Sequence, residues 1–258
     1  MLYPISCAKH SKLVILILFI SLIQLQGFAT VYYVKPTATG SGNGSSWANA
    51  SASIQAMINA ASSGDQIWVS SGTYNAPYTV DGPSFYYSFV LKNGVAIYGG
   101  FTGSETSLNE RNYQNNETIL SGNGYTVVKA LGSISRATIV DGFSIINGTG
   151  GAGFTDYAGG FVITTLSSPT VQHCKFYNNT TSNNTGGGAI AINNYSNPLI
   201  IDCSFYNNSA INGGAIYANY YIAAEIINCS FYNNTASSGS GNAIYIGPNT
   251  NNAKITKI

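Results

Sequence analysis

Charge is what this chain has least of: only 7% of its 258 residues are Asp, Glu, Lys or Arg, and the net charge is +1. A strongly basic nucleic-acid binder is excluded, because a phosphate backbone is gripped by clustered Lys and Arg. Carboxylates are also sparse. The nine Asp and Glu residues include no adjacent pair, which argues against chemistry that needs them clustered. Beyond the N-terminal segment His173 is the only histidine. Beside Cys174, it reads as a structural or solvent-facing residue rather than a metal ligand or base, and no metal or cofactor is expected. Long apolar runs are missing after residue 29, so the mature chain should carry no transmembrane segment, which takes about 20 residues.

The N-terminus differs. Lys9, His10 and Lys12 precede a nearly all-apolar run from Leu13 to Leu25. Gly27 and Ala29 then supply small residues before a cut at Thr30. Residues 1–29 read as a secretory signal peptide, shorter in its apolar part than a membrane anchor. The mature chain, 30–258, is thus expected to be extracellular or at the outer-membrane surface. It keeps three cysteines, Cys174, Cys203 and Cys229. An odd number cannot all pair internally, and all three are expected to stay free.

Low charge alone would suggest disorder, but 45% of residues are apolar and β-formers abound, enough for a continuous core. Their arrangement is periodic. Cys174-Lys175-Phe176-Tyr177-Asn178-Asn179-Thr180 recurs at Cys203 to Ser209 and again at Cys229 to Thr235, at spacings of 29 and 26 residues. Gly187-Gly188-Ala189-Ile190 matches Gly213-Gly214-Ala215-Ile216, with weaker copies at Gly159 and Gly241. Period-two alternation puts Cys and Phe on one face of a strand and Tyr on the other. Asn-Asn and Gly-Gly mark corners, since both residue types tolerate left-handed backbone. A strand-only repeat of this length buries its inner face by stacking on the next. The fold class is therefore all-β: a right-handed parallel β-helix, a pectin-lyase-like solenoid. A β-propeller would need longer periods and antiparallel hairpins.

The repeats are clearest over 159–258 and decay upstream. Ile54, Met57, Ile58 and Ala61 fall at helical spacing. Ser51 or Ser53 can cap that helix and Gly64 can end it. It should sit in an N-terminal cap at about 30–64, covering the open first coil.

The Gly-Gly-Ala-Ile and Phe-x-x-Asn motifs resemble the repeats of chlamydial polymorphic outer-membrane proteins. The N-terminal half resembles exported β-helix proteins of Bacteroidetes type, through Tyr32-Tyr33-Val34, Gly44-Ser45-Ser46-Trp47, Gly64-Asp65-Gln66-Ile67-Trp68-Val69, Tyr98-Gly99-Gly100-Phe101 and Asp141-Gly142-Phe143. The resemblance covers most of the mature chain. It implies a secreted or surface-exposed scaffold, adhesin-like, whose partner is an extracellular glycan or a host or neighbour surface protein. The same fold houses pectin-degrading enzymes, so a polysaccharide lyase or glycoside hydrolase is the alternative. The chain lacks the Asp-Asp, Gly-His-Gly and Asn-Thr-Asp runs that β-helix pectinases carry.

The weak catalytic candidates are Asp156 and Asp202, which could approach across neighbouring coils with Arg136 or Lys175 near. Asp65 and Asp141 sit at strand starts and should accept hydrogen bonds from turn N–H groups. Stacked Asn178, Asn207 and Asn233, or their neighbours Asn179, Asn208 and Asn234, should form amide ladders. The outward Tyr177, Tyr206 and Tyr232 should stack at roughly 4.8 Å and are the ligand-binding candidates. The chain stops within what reads as a further coil, where Ile255 alone is left for the inward slot that Cys and Phe fill earlier. More coils with an anchor, or association through that end, are expected.

Overall fold

A computed structural model describes residues 29–81, 84–122, 124–150, 157–182, 186–248, 250 and 253–256. The segment 1–28 and Asp156 lie outside them. The chain winds as a right-handed parallel β-solenoid. Among the described residues four parallel sheets of eight, six, four and six strands form its walls. One coil shows the circuit: Ile139–Asp141 on the first wall, Phe143–Ile146 on the second, Thr149–Gly150 on the third and Phe161–Thr164 on the fourth. The next coil begins at Thr170–Gln172 and pairs in register with Ile139–Asp141. One antiparallel hairpin, Tyr78–Asp81 with Ser84–Tyr87, stands apart from the walls.

Alternation along each strand sends one residue type inward. On the first wall Val140, Val171, Ile200 and Ile226 pair in register and are buried. Ile255 pairs with Ile226. It therefore extends this column and not the Cys–Phe face, because Lys254–Thr256 joins the first wall. Cys174, Cys203 and Cys229 are buried and free. Phe176, Phe205 and Phe231 stack beside them with ring centroids 4.9 and 4.8 Å apart. The neighbouring coils thus share one continuous core.

The two sets of asparagines have different tasks, and the inward set forms the amide ladder. Asn147, Asn178, Asn207 and Asn233 turn the second wall into the third with φ between 53° and 55°, a left-handed geometry that Asn tolerates. The following Asn179, Asn208 and Asn234 point inward. Asn179 Nδ2 donates to Asn208 Oδ1 at 3.1 Å, and Asn208 Nδ2 to Asn234 Oδ1 at 2.9 Å. Each also donates to a carbonyl of the coil before it: Ile145, Phe176 and Phe205, all at 2.9 Å. Every inward amide thereby meets the requirement that buried polar groups be bonded.

At the Gly-Gly corners Gly213 is left-handed, with φ 61°, but the second glycine of each pair answers to a different demand. A Cβ on Gly188 would lie 2.2 Å from the carbonyl oxygen of Gly214, and one on Gly214 would lie 2.2 Å from that of Asn242. Close stacking of successive coils, not backbone sign, excludes a side chain there.

The seven-residue helix α1, Ile54–Ala60, packs Ile54, Met57 and Ile58 into the core. Ser53 is its cap, accepting from Ala56 N–H. The helix ends at Ala60, with Ala61 as its C-cap; Gly64, φ +97°, serves the turn beyond. Gln55 of α1 meets Phe89–Val90, the first strand of the fourth wall. Its Nε2 donates to Val90 O at 3.1 Å and its Oε1 accepts from Val90 N at 2.8 Å. One side-chain amide thus stands in for the peptide group of an absent coil.

Candidate functional site

The turn from the first wall to the second needs one left-handed residue per coil. Gly142, His173, Asp202 and Asn228 hold it, with φ of 81°, 51°, 52° and 53°. Asn, Asp and His are the side-chain-bearing residues most tolerant of that conformation. Stacking lines these side chains up along one edge of the second wall. Asn228 Nδ2 donates to Asp202 Oδ1, and Asp202 Oδ2 lies 3.8 Å from His173 Nε2.

Asp141, one residue before this column, is 2% exposed. It accepts from Arg111 Nη2 at 2.5 Å, Gln172 Nε2 at 2.8 Å and His173 Nδ1 at 2.9 Å. A carboxylate only accepts, so His173 carries its proton on Nδ1. Its Nε2 faces Asp202. Arg111 is fixed in turn: Nη1 donates to Gly99 O at 3.1 Å and Asp141 O at 3.2 Å. Its guanidinium lies 5.1 Å from the Tyr98 ring and 5.3 Å from that of Tyr113, within cation–π range. Burial, then the Asp141 charge, raises the Tyr98 pKa above its ordinary value, only partly opposed by Arg111. Tyr113 stacks on His173 at 4.8 Å.

Beside this cluster opens a groove of about 400 Å³, lined by Tyr113, Gln114, His173, Lys175, Asp202 and Ser204. Lys175 and Ser204 share their outward face with Tyr177 and Tyr206, two residues on. The groove therefore runs directly into the tyrosine column. Tyr177 and Tyr206 stack at 4.7 Å and 9°, Tyr206 and Tyr232 at 4.9 Å and 3°. Burial raises the pKa of Tyr177, with Glu117 adding to it. Tyr206 is pushed up to about 12 by burial, then by its two tyrosine neighbours and Glu117. Glu117 is itself held by Ser144 Oγ at 2.6 Å.

Of the two weak catalytic candidates, Asp202 lines the groove and Asp156 lies outside the described residues. Lys175 is beside Asp202, but Arg136 is not. Arg136 Nη2 pairs with Glu225 Oε1 at 2.6 Å, at the start of a first-wall strand. Asp65 accepts from Thr30 N and Ser62 N, both at 2.8 Å, as a turn Asp should. Asp141 departs from that reading: it ends its strand, and side chains rather than turn N–H groups satisfy it. Sequence reasoning missed His173 as a groove residue. The signal was its place before Cys174, equivalent to Asp202 before Cys203 and Asn228 before Cys229. Arg111 had no such signal, since its loop repeats nothing.

Among the described residues no group of three His, Cys, Asp or Glu side chains is placed to hold a metal ion. No described helix is long and apolar enough to cross a membrane. No family model, curated protein or solved structure matches the chain.

Proposed function

We propose that this chain is a secreted or cell-surface repeat scaffold that binds an extracellular glycan along its second wall, as an adhesin does. One observation carries this reading: the open column of Tyr177, Tyr206 and Tyr232 continues out of a groove with charged and amide side chains. A row of aromatic rings offers apolar platforms for sugar faces, while Lys175, Asp202, Gln114 and Ser204 offer donors and acceptors for hydroxyl groups. The leader-like N-terminus and the likeness to exported β-helix repeat proteins support an extracellular setting. The test is a glycan array read with the mature chain and with Tyr206→Ala. A glycan that binds along the second wall should lose roughly tenfold in affinity when the central ring is removed. Binding that ignores Tyr177→Ala, Tyr206→Ala and Tyr232→Ala alike would refute the wall as the site.

The rival reading, a carbohydrate-active enzyme, rests on the His173 ring that Asp141 orients beside the groove, with Nε2 toward Asp202. Against it, glycoside hydrolysis uses two carboxyl groups flanking the bond, and among the described residues Asp202 is the only carboxylate that lines the groove. Asp141 is buried and fully engaged. A depolymerisation screen on neutral and uronic-acid polymers decides. Turnover that vanishes in both His173→Ala and Asp202→Asn would establish the enzyme.

A further inference from the structure

The groove on the second wall holds two opposite charges that do not meet. Lys175 and Asp202 both line it. Ser204 pairs in register with Lys175, and Asp202 stands two residues before Ser204. The two charged residues are therefore diagonal neighbours on adjacent coils, roughly 8 Å apart at the backbone. Their side chains together can span that gap, yet Lys175 makes no ion pair or hydrogen bond among the described residues. Glu117 stands on its other side. Ser144, the register partner of Lys175 on the preceding coil, holds that carboxylate through Oγ at 2.6 Å. Lys175 thus sits between two carboxylates and pairs with neither.

The rest of the chain handles charge differently. Arg136 reaches Glu225 three coils away along the first wall, and Arg111 pairs with buried Asp141. Lys92 donates to Asn59 O and Ala61 O at the end of α1, and Lys35 lies over the Trp47 ring. Among the described basic side chains only Lys175 and Lys254 have no such partner. Lys254 is exposed on the last described strand, whereas Lys175 is half-buried and faces a groove of about 400 Å³, a volume within the range of small-ligand sites. Asp202 is open in the same way. Asn228 takes its Oδ1, while Oδ2 lies 3.8 Å from His173 Nε2, too far for a hydrogen bond.

An anionic ligand would meet Lys175 but be repelled by Asp202 and Glu117, and a cationic one would meet the reverse. A ligand that brings both signs satisfies Lys175 and Asp202 at once. Taking the second wall as the glycan site, on which this rests, we infer that the groove reads a zwitterionic glycan segment, with a carboxylate and an ammonium on adjacent sugars. The carboxylate pairs with Lys175 and the ammonium with Asp202 Oδ2. Ser204 and Gln114 serve the hydroxyl groups between them, and the tyrosine column carries the sugars beyond.

The test uses hyaluronan hexasaccharide, in which glucuronate and N-acetylglucosamine alternate, in four forms of equal length. The parent is anionic, and de-N-acetylation makes it zwitterionic. Carboxyl reduction gives an uncharged chain, and both treatments give a cationic one. Calorimetry on the mature chain, at a pH where the sugar amine is charged, should find the zwitterionic form tightest, by about fivefold over each other form. Lys175→Gln should erase its lead over the cationic form only. Asp202→Asn should erase its lead over the anionic form only, and Asn suits the left-handed corner at φ 52°, so that variant stays folded. Tyr206→Ala should weaken all four forms alike. Equal affinity for the uncharged and zwitterionic forms, both weakened by Tyr206→Ala, would overturn the inference and leave the wall as a glycan site. A zwitterionic lead that ignores both charge variants, a lead for a single-sign form, or no binding of any form at millimolar concentration would overturn it too. Charge-dependent binding that Tyr206→Ala leaves unchanged would sink the tyrosine column and keep the groove.

Discussion

From Phe161 onward each coil copies its predecessor, so that Cys lies over Cys, Phe over Phe, Tyr over Tyr and Asn over Asn. Upstream the inward columns are mixed, as in Ile67, Ile97 and Val140, and contacts that occur once help to hold the coils. Trp68 stacks on Phe101 at 4.8 Å, and Tyr33 meets Trp47 edge-on at 4.9 Å. Trp47 Nε1 donates to Glu105 O at 2.9 Å, and Glu105 accepts from Thr102, Gly103 and Ser104 N–H groups. These aromatics lie outside the first wall in a cluster of their own. The two halves show that a parallel stack can be stabilised in two ways. Identical rungs support one another in series, whereas unique contacts each pin one loop to one coil.

The largest effect that would sharpen this contrast is at the middle rung of the amide ladder. Asn208→Leu leaves Asn179 N–H without its acceptor and takes one donor each from Phe176 O and Asn234 Oδ1, the latter keeping the backbone N–H of residue 208. At about 1–3 kcal/mol for the orphaned group and about 1 kcal/mol for each of the two other bonds, the loss should reach about 4 kcal/mol in denaturant unfolding. Asn234→Leu, next in the ladder, should cost less. Equal losses would mean that the rungs act independently, and the contrast between the halves would fail.

Arg111→Ala should follow, at about 3 kcal/mol, because it leaves the Asp141 charge buried with its cation gone. Arg111→Ala with Asp141→Asn should recover much of that loss. No recovery would show that Arg111 acts through its packing on Tyr98 and Tyr113. Gln55→Ala should cost about 2 kcal/mol, since it strips one donor and one acceptor from Val90. Amide exchange at Val90 should speed up while exchange at Ile216 does not change. Parallel acceleration at both would mean that the halves unfold as one unit.

The smallest effects are in pH dependence, and the two halves should differ in sign. Burial pushes the Glu105 carboxyl up, but hydrogen bonds from Thr102 and Ser104 N–H groups outweigh it and hold the pKa below its usual value. The folded state favours the ionised form. Its contribution is therefore present above the unfolded carboxylate pKa, near 4.3, and is lost as the pH falls through the lower folded value. Tyr206 is raised to about 12, so the folded state favours its neutral form. That contribution is present below about pH 10 and is lost as the pH rises toward 12. Melting temperature against pH should show an acid limb that flattens in Glu105→Gln and an alkaline limb that flattens in Tyr206→Phe. Exchange of the two assignments would contradict the electrostatic picture of both halves.

The repeating columns could be read from the sequence because each residue's spacing equals one coil. Cys174, Cys203 and Cys229 announce the register, and Phe, Tyr and Asn follow at fixed offsets. The capping helix was readable for the same kind of reason, its apolar spacing. What periodicity cannot carry was missed. Arg111 reaches Asp141 from a loop with no counterpart in other coils. His173 hid because a left-handed corner tolerates His for purely conformational reasons, so its residue type gave no hint of a groove. Lys175 could be placed near Asp202 by its spacing, but only the fold shows that the two line one groove and stay apart.

A stack of identical parallel rungs with Asn and aromatic columns has the local chemistry of an amyloid fibril. What separates them is whether the last rung can template another. At the start of the fourth wall it cannot, because Gln55 already occupies the N–H and C=O of Val90 that an incoming strand would use. One amide on a seven-residue helix thus acts as a chain terminator, closing that edge of the solenoid to runaway polymerisation.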